Sequence, residues 1–330
     1  MSEIAAKPAR PRIVIASPAF NEEANLPRYE QTVREVLLSR PDYDFRVLFV
    51  DDGSRDRTWE IMREICARDP RFRAIRLSRN FGGHLAESAA LAHADGDAVV
   101  PLACDLQDPP ETILQFLEKW RAGAQIVWGH RRTRDDPAWR KFTSRMFLGL
   151  MRRFAMPPDS QVTTGGFVLM DRKVVDCLLR FGERNRVNFA LVAWTGFEQA
   201  VVEYDRAART AGSSGWTLGK MLRSMYDAFI GFSFLPVRLM TSAGIAMFAL
   251  TMAIAAYMVV NWMTGHPLVG WTSIMVVVTF LFGLQFLLMG MMGEYLYRIY
   301  AEVVHRPLYL VSDTIGIASG EPAAGGAQGF

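Results

Sequence analysis

The sequence predicts an α/β protein in which a parallel sheet flanked by helices is followed by a membrane-directed segment. Three observations predict it. From Arg12 to about Ala207, short apolar runs alternate with amphipathic ones, the signature of repeated strand-then-helix units. The segments after the first four apolar runs are rich in carboxylates, amides and glycine, as expected where such a sheet presents the carboxyl ends of its strands to a ligand. Between Arg238 and Glu294 there is no Asp, Glu, Lys or Arg.

Taken in order, RIVIAS from Arg12 reads as the first strand, and LPRYEQTVREVLLSR as a helix with Leu26, Val33, Val36 and Leu37 on one side. FRVLFVDD and DRTWEIMREICAR give the second strand and helix, RAIRLS and HLAESAALAHAD the third pair. DAVVPLAC and ETILQFLEKW give the fourth, and QIVWGHR a fifth strand. The strand tips then carry Asn21 and Glu22; Asp51, Asp52, Ser54 and Asp56; Arg79 and Asn80; and Asp105 with Gln107. One polar tip is an ordinary loop, but four along one sheet edge make a polar cleft. Each residue also has a plainer reading: Asp51 and Asp52 as turn formers before Gly53, Glu22 at a helix start, Asp108 before Pro109 and Pro110 as a helix cap.

The charge-free stretch holds two apolar runs, Thr241–Met263 and Trp271–Met292, each long enough for the ~20 residues that cross a bilayer core. TGHPLVGW between them turns the chain, so a two-helix transmembrane hairpin is expected over 241–293. Lys220, Arg223 and Arg238 precede it and Arg298 and Arg306 follow, whereas the linker has no Lys or Arg. This asymmetry places both long ends in the cytoplasm of a multi-pass inner-membrane protein. Residues 215–240, with Met221, Leu222, Met225, Phe229, Phe232 and Phe234 beside Lys220 and Arg223, read as amphipathic interfacial helices. Residues 1–11 are expected to be flexible, with no apolar secretory core, and the Gly-rich end of 294–330 disordered. Gly283, Gly290 and Gly293 would permit close packing in a homo-oligomer.

Composition excludes several classes. A net charge of +3 argues for no nucleic-acid partner. Cys66, Cys104 and Cys177 lie far apart, without a CxxC pair, and read as buried free thiols. Neither GxGxxG nor GxxxxGK[ST] occurs, which disfavours a dinucleotide dehydrogenase or a P-loop enzyme.

PAFNEE, FVDDGSRDRT, LSRNFGGHLAESAAL, DLQDPPE and GEYLYRIYAEVVHRPLYLV, taken in this order, resemble the bacterial polyprenyl-phosphate glycosyltransferases, family 2 enzymes related to dolichol-phosphate mannosyltransferase. The resemblance runs from about Ile13 to Val311. It implies a glycosyltransferase A-type, Rossmann-like catalytic domain over 12–214. It further implies a nucleotide-sugar donor, Mg²⁺ or Mn²⁺, and a membrane polyprenyl phosphate lipid as acceptor. By this resemblance Pro18, Phe20, Asn21, Glu22, Asp51 and Asp52 hold the donor, joined by Asn80 and Asp105, and Asp105 with Gln107 holds the metal. Arg131, Arg206 and Arg209, with Ser213, are the expected contacts to the acceptor phosphate, and these arginines with Asp105 form the expected catalytic set.

Three positions depart from the family pattern. Ala103 stands where the first acid of DxDLQ is found, Gly165-Gly166-Phe167-Val168 where a GDFR-like stretch is common, and Gly215 where a Lys precedes an aromatic. The chemistry tolerates the missing acids in principle. Mg²⁺ needs only one or two carboxylates when substrate phosphates complete its shell. A phosphate monoester, with a second pKa of about 6, is already mostly dianionic at neutral pH and needs cations more than a general base. The rival expectation is a membrane scaffold built on a silent transferase domain. A processive polysaccharide synthase is disfavoured, because no QxxRW motif occurs.

Overall fold

The computed structural model describes residues 10–132, 166–183, 188–206, 235–264 and 270–317. They form two compact units. One comprises the described residues up to Arg206 together with those from Arg306 onward; the other lies within Tyr226–His305.

The first unit is built on an eight-stranded mixed sheet of order β7-β5-β6-β4-β1-β2-β3-β8. Strands β1 (Arg12–Ala19), β2 (Asp44–Asp51), β3 (Phe72–Leu77) and β4 (Ala98–Pro101) are mutually parallel, in the order 4-1-2-3. This is the Rossmann-like arrangement in which ligands meet the carboxyl ends of the strands. Between them run α1 (Leu26–Val33), α2 (Thr58–Arg68) and α3 (Gly83–His93). The expected first helix is split: α1 gives way to a π-helical turn over Arg34–Leu38, where Arg34 pairs with Glu30 and Asp69.

After α4 (Glu111–Arg121), strand β5 (Ile126–Arg131) lies beyond β6 (Val168–Asp171), and β6 runs antiparallel to both β4 and β5. Helices α5 (Arg172–Leu179) and α6 (Asn188–Trp194) follow, and then β7 (Gln199–Tyr204), parallel to β5. The all-parallel expectation is therefore corrected by β6 and by β8 (Val311–Ile315), which pairs antiparallel with β3. Strand β4 is also shorter than expected: Pro101 has no N–H for the ladder and stands at its last position.

Both faces of the parallel strands are buried, as parallel sheets require. On one side Ile13, Ile15, Val47 and Phe49 pack with Tyr29, Trp59, Met62, Phe72, Phe116 and Trp120. On α3 the buried residues are Ala86, Ser88, Ala89, Ala90 and Leu91, mostly small enough to bring the helix close to the strands. Cys66 and Cys104 are buried as expected, whereas Cys177 is only half-buried on short α5.

The second unit contains two long helices, α7 (Leu235–Met263, 29 residues) and α8 (Trp271–Val303, 33 residues). Among the described residues one helix, over Phe280–Tyr297, is long and apolar enough to cross a membrane; a second apolar stretch, Met240–Ile254, is shorter. Phe280, Phe282, Phe286, Met289, Met292 and Leu296 on α8 are exposed.

Candidate active site

The parallel register brings the carboxyl ends of β1 to β5 and of β7 to one edge of the sheet. The antiparallel strand β6 starts at that same edge, just after Gly166 and Phe167. Along it the sequence-predicted residues fall into two groups, with polar and acidic tips on β4, β1, β2 and β3, and cations on β5 and β7.

On the polar half, the turn after β1 is tied to the turn after β2. Asn21 sits at φ 56°, and its N–H donates to Ser54 Oγ at 2.9 Å while its Oδ1 accepts from the Arg55 N–H at 2.9 Å. A short amide is among the few side chains at ease in that conformation. The Glu22 N–H donates to Thr58 Oγ1 at 2.8 Å, and Glu22 Oε2 accepts from Asn25 Nδ2 at 2.6 Å. Pro18 is half-buried opposite Val50, and Phe20 is 41% exposed at the edge.

Asp51 is fully buried. Its Oδ1 accepts from the Ser54 N–H at 2.9 Å, whereas Oδ2 has no hydrogen bond and instead lies 3.1 Å from Arg76 Nε, an ion pair whose angles do not make a hydrogen bond. Arg76 also donates to the Ser54 carbonyl and lies over the Trp59 ring. Asp52 clamps the loop after β3: Oδ1 accepts from the Phe81 N–H at 2.7 Å, and Oδ2 from the Gly82 N–H at 2.9 Å and from Asn80 Nδ2 at 3.0 Å. Burial holds its carboxyl above the usual range, helped by the Asp51 charge and opposed by the two backbone N–H groups. Asp52 and Asn80 are thus brought together, with each other as partners.

The tip of β4 makes a sharp turn, with Leu106 at φ 51° and Asp105 Oδ1 accepting from the Gln107 N–H at 3.2 Å. The buried Cys104 thiol is pushed far up, by burial first and then by the charges of Glu22 and Asp105. No group of three His, Cys, Asp or Glu able to hold a metal exists among the described residues. The donors at this tip are the Asp105 carboxylate and the Gln107 side-chain amide, oxygen donors that suit a hard cation taking its remaining ligands from elsewhere.

The cationic half departs most from expectation. Asp108 does not cap α4, whose first turn has Pro110 at the cap position and no side-chain cap bond. The carboxylate reaches the other way. Asp108 Oδ1 accepts from the Tyr204 hydroxyl at 2.5 Å and lies 3.5 Å from Arg206 Nε and 3.8 Å from Arg131 Nη2. Arg131 Nε in turn donates to Tyr204 Oη at 3.2 Å. Burial, with the Asp108 charge and bond, pushes the Tyr204 phenol up to about 12 against the opposing pull of Arg131. The neighbouring Arg132 turns to the opposite flank and pairs with Glu203 and Asp205 at 3.6 Å. Arg131 and Arg206 are thereby joined. Arg209 and Ser213 lie outside the described residues.

Sequence reasoning missed Arg76, Asp108 and Tyr204. Asp108 was hidden by its two following prolines. Tyr204 ends QAVVEY, an alternating run that could have been read as a strand.

A fold and a site of this kind define a family. Residues 14–179 match the model of "Glycosyl transferase family 2", and the chain belongs to that family. It is 39% identical over 308 residues to an uncharacterized glycosyltransferase of Synechocystis sp., covering 92% of this chain and 95% of the relative. It is also 40% identical to an uncharacterized glycosyltransferase of Bacillus subtilis, covering 92% and 94%. To the bactoprenol glucosyl transferase of Shigella phage SfV it is 36% identical, covering 92% of this chain and 98% of the relative.

Proposed function

We propose that the protein transfers a sugar from a nucleotide-sugar donor, UDP-linked by first choice, to a polyprenyl phosphate at the cytoplasmic face of a membrane. The transfer inverts the anomeric centre. The observation that carries this reading is the division of one sheet edge into a carboxylate- and amide-bearing half and an arginine-bearing half, with the Asp105–Gln107 turn between them. The relatives named bactoprenol glucosyl transferase support the same acceptor class.

In this reading a glycosyltransferase A-type domain seats the nucleoside against the loops of Asn21, Glu22, Asp51, Asp52 and Asn80, with Phe20 as an exposed face at the rim. Asp105 with the Gln107 amide would hold Mg²⁺ or Mn²⁺. Such an ion, when bound, neutralises charge on the leaving diphosphate. Arg131 and Arg206 face the acceptor, whose phosphate arrives as the dianion, so these side chains orient and offset charge without taking up a proton. The exposed apolar side chains of α8, and the apolar stretch of α7, suit a hairpin in lipid that keeps the polyprenyl chain and the catalytic domain on one membrane.

The test is transfer itself. The purified protein is incubated with polyprenyl phosphate, Mg²⁺ or Mn²⁺ and radiolabelled UDP- and GDP-sugars. Label should enter the organic phase. Asp105→Ala should lower the rate by about 10²-fold or more, since metal assistance is worth several kcal/mol. No transfer from any donor, together with no nucleotide binding, would identify a scaffold.

A further inference from the structure

Asp108 is joined to the cationic half by nothing in the backbone ladder. Strand β6 lies between β4 and β5, so the loop after β4 and the tips of β5 and β7 are separated by a whole strand. The Asp108 side chain spans that distance. We propose that Asp108 is a positioning residue for the acceptor phosphate: its Oδ1 gathers the Tyr204 hydroxyl, Arg131 and Arg206 into one anion-facing corner beside the Asp105–Gln107 turn. The proposal rests on the reading that the acceptor is a phosphate monoester.

The distances support a positioning role. Among the described residues, the Tyr204 hydroxyl alone makes a short bond to Asp108, at 2.5 Å. The guanidinium contacts, 3.5 and 3.8 Å, lie beyond ordinary hydrogen-bond length. Asp108 therefore attracts the two arginines without saturating their N–H groups, which stay available to phosphate oxygens. The exposures follow the same gradient, with the Asp108 side chain at 13%, Arg131 at 21% and Arg206 at 35%. The anchor is the most covered, and the cations reach outward.

Tyr204 is itself fixed from behind. Its ring packs edge-on against Phe167, which packs on Phe116. A Cβ on Gly129 would stand 2.8 Å from Tyr204 Cε1, so the glycine of QIVWGHR leaves room for the ring. With its phenol held well above neutral pH, Tyr204 remains a donor to Asp108 and an acceptor for Arg131.

Charge alone and positioning make opposite predictions, which makes the proposal testable. Asp108→Asn removes a negative charge beside an anion site. If Asp108 were merely a counter-charge, the acceptor should bind more tightly; if it positions the arginines, binding should weaken. The full-length protein in detergent is titrated calorimetrically with farnesyl monophosphate in the absence of donor, and transfer kinetics are measured alongside. We expect Asp108→Asn to weaken farnesyl monophosphate binding about tenfold and to lower kcat/KM for the acceptor to match, with the donor KM and melting temperature unchanged. Asp108→Glu should recover part of the loss, and Tyr204→Phe should show a smaller loss in the same direction.

Unchanged or tighter binding in Asp108→Asn overturns the proposal. So does an equal loss toward donor and acceptor accompanied by a lower melting temperature, which would mark a purely structural tie. A wild-type protein that binds no farnesyl monophosphate overturns it as well. Wild-type binding without transfer would instead count against the proposed function and leave the binding comparison to judge Asp108.

Discussion

At the scale of single residues, the second acid and the glycine of the DDGS turn are bound to a loop almost thirty positions later. Asp52 holds three donors from Asn80, Phe81 and Gly82. Gly53 sits at φ 69°, and a Cβ there would stand 2.5 Å from the Arg79 carbonyl carbon and 2.7 Å from the Asn80 nitrogen. Both the positive φ and the neighbouring backbone forbid a side chain, and backbone cannot swing aside as a side-chain tip can. Gly53→Ala should therefore destabilise the catalytic unit by about 1–3 kcal/mol or more and raise the donor KM by displacing the loop that Asp52 holds. Thermal melting and nucleotide titration of the same sample check it, and an unshifted melt would show that the two turns are not locked together.

At the scale of elements, the contact between α3 and α6 is polar at its centre. Asn188 Nδ2 donates to the His84 carbonyl at 2.9 Å and to Glu87 Oε2 at 3.0 Å, while Ser88 Oγ also donates to the His84 carbonyl. Burial raises the Glu87 carboxyl to about 7, against the lowering effect of its Asn188 bond. A carboxyl raised on folding gives stability that is complete below its unfolded value near 4.5 and lost as pH climbs through 7. Glu87→Gln should leave stability unchanged at pH 4 and raise it by roughly 1–3 kcal/mol at pH 8, flattening the profile of melting temperature against pH; a parallel profile would refute the assignment. The same elements show what the sequence made legible. The first nine elements followed from period and turn residues because each is local, and the four polar tips followed from them. Glu87 was invisible inside HLAESAAL, because its partner Asn188 is a hundred positions away. Asp108 was misread for the same reason: its local context, two prolines and a helix, argued for a cap, and the competing partners arrive from β5 and β7. Strands β6, β7 and β8 are only four to six residues long and pair with strands far away in the chain, so the local period was too short to assign them.

At the scale of the whole molecule, the chain leaves the sheet after β7, passes through the helices of the second unit and returns to the sheet as β8. The returning strand covers the outer edge of β3 from Ala74 to Leu77. The Ser78 N–H donates to the Leu310 carbonyl at 2.8 Å, and Ser312 Oγ to the Arg76 carbonyl at 3.2 Å. Ile315 packs on the core, and Tyr309 lies against His93. An open β3 edge would present a row of unpaired backbone groups, which is costly and invites association. The edge matters to the site as well, because Arg76 stands opposite Asp313 in the ladder and carries the guanidinium paired with Asp51. Ending the chain after Arg306 keeps α7 and α8 but removes β8. That variant should melt roughly 5 °C lower, as expected for about 2 kcal/mol in a domain of this size, aggregate more readily in detergent, and bind nucleotide more weakly through the freed Arg76. Equal melting and nucleotide affinity in the shortened and full-length proteins would mean that the DDGS turn holds its shape without the returning strand, and that Arg76 is fixed by Asp51, Ser54 and Trp59 alone.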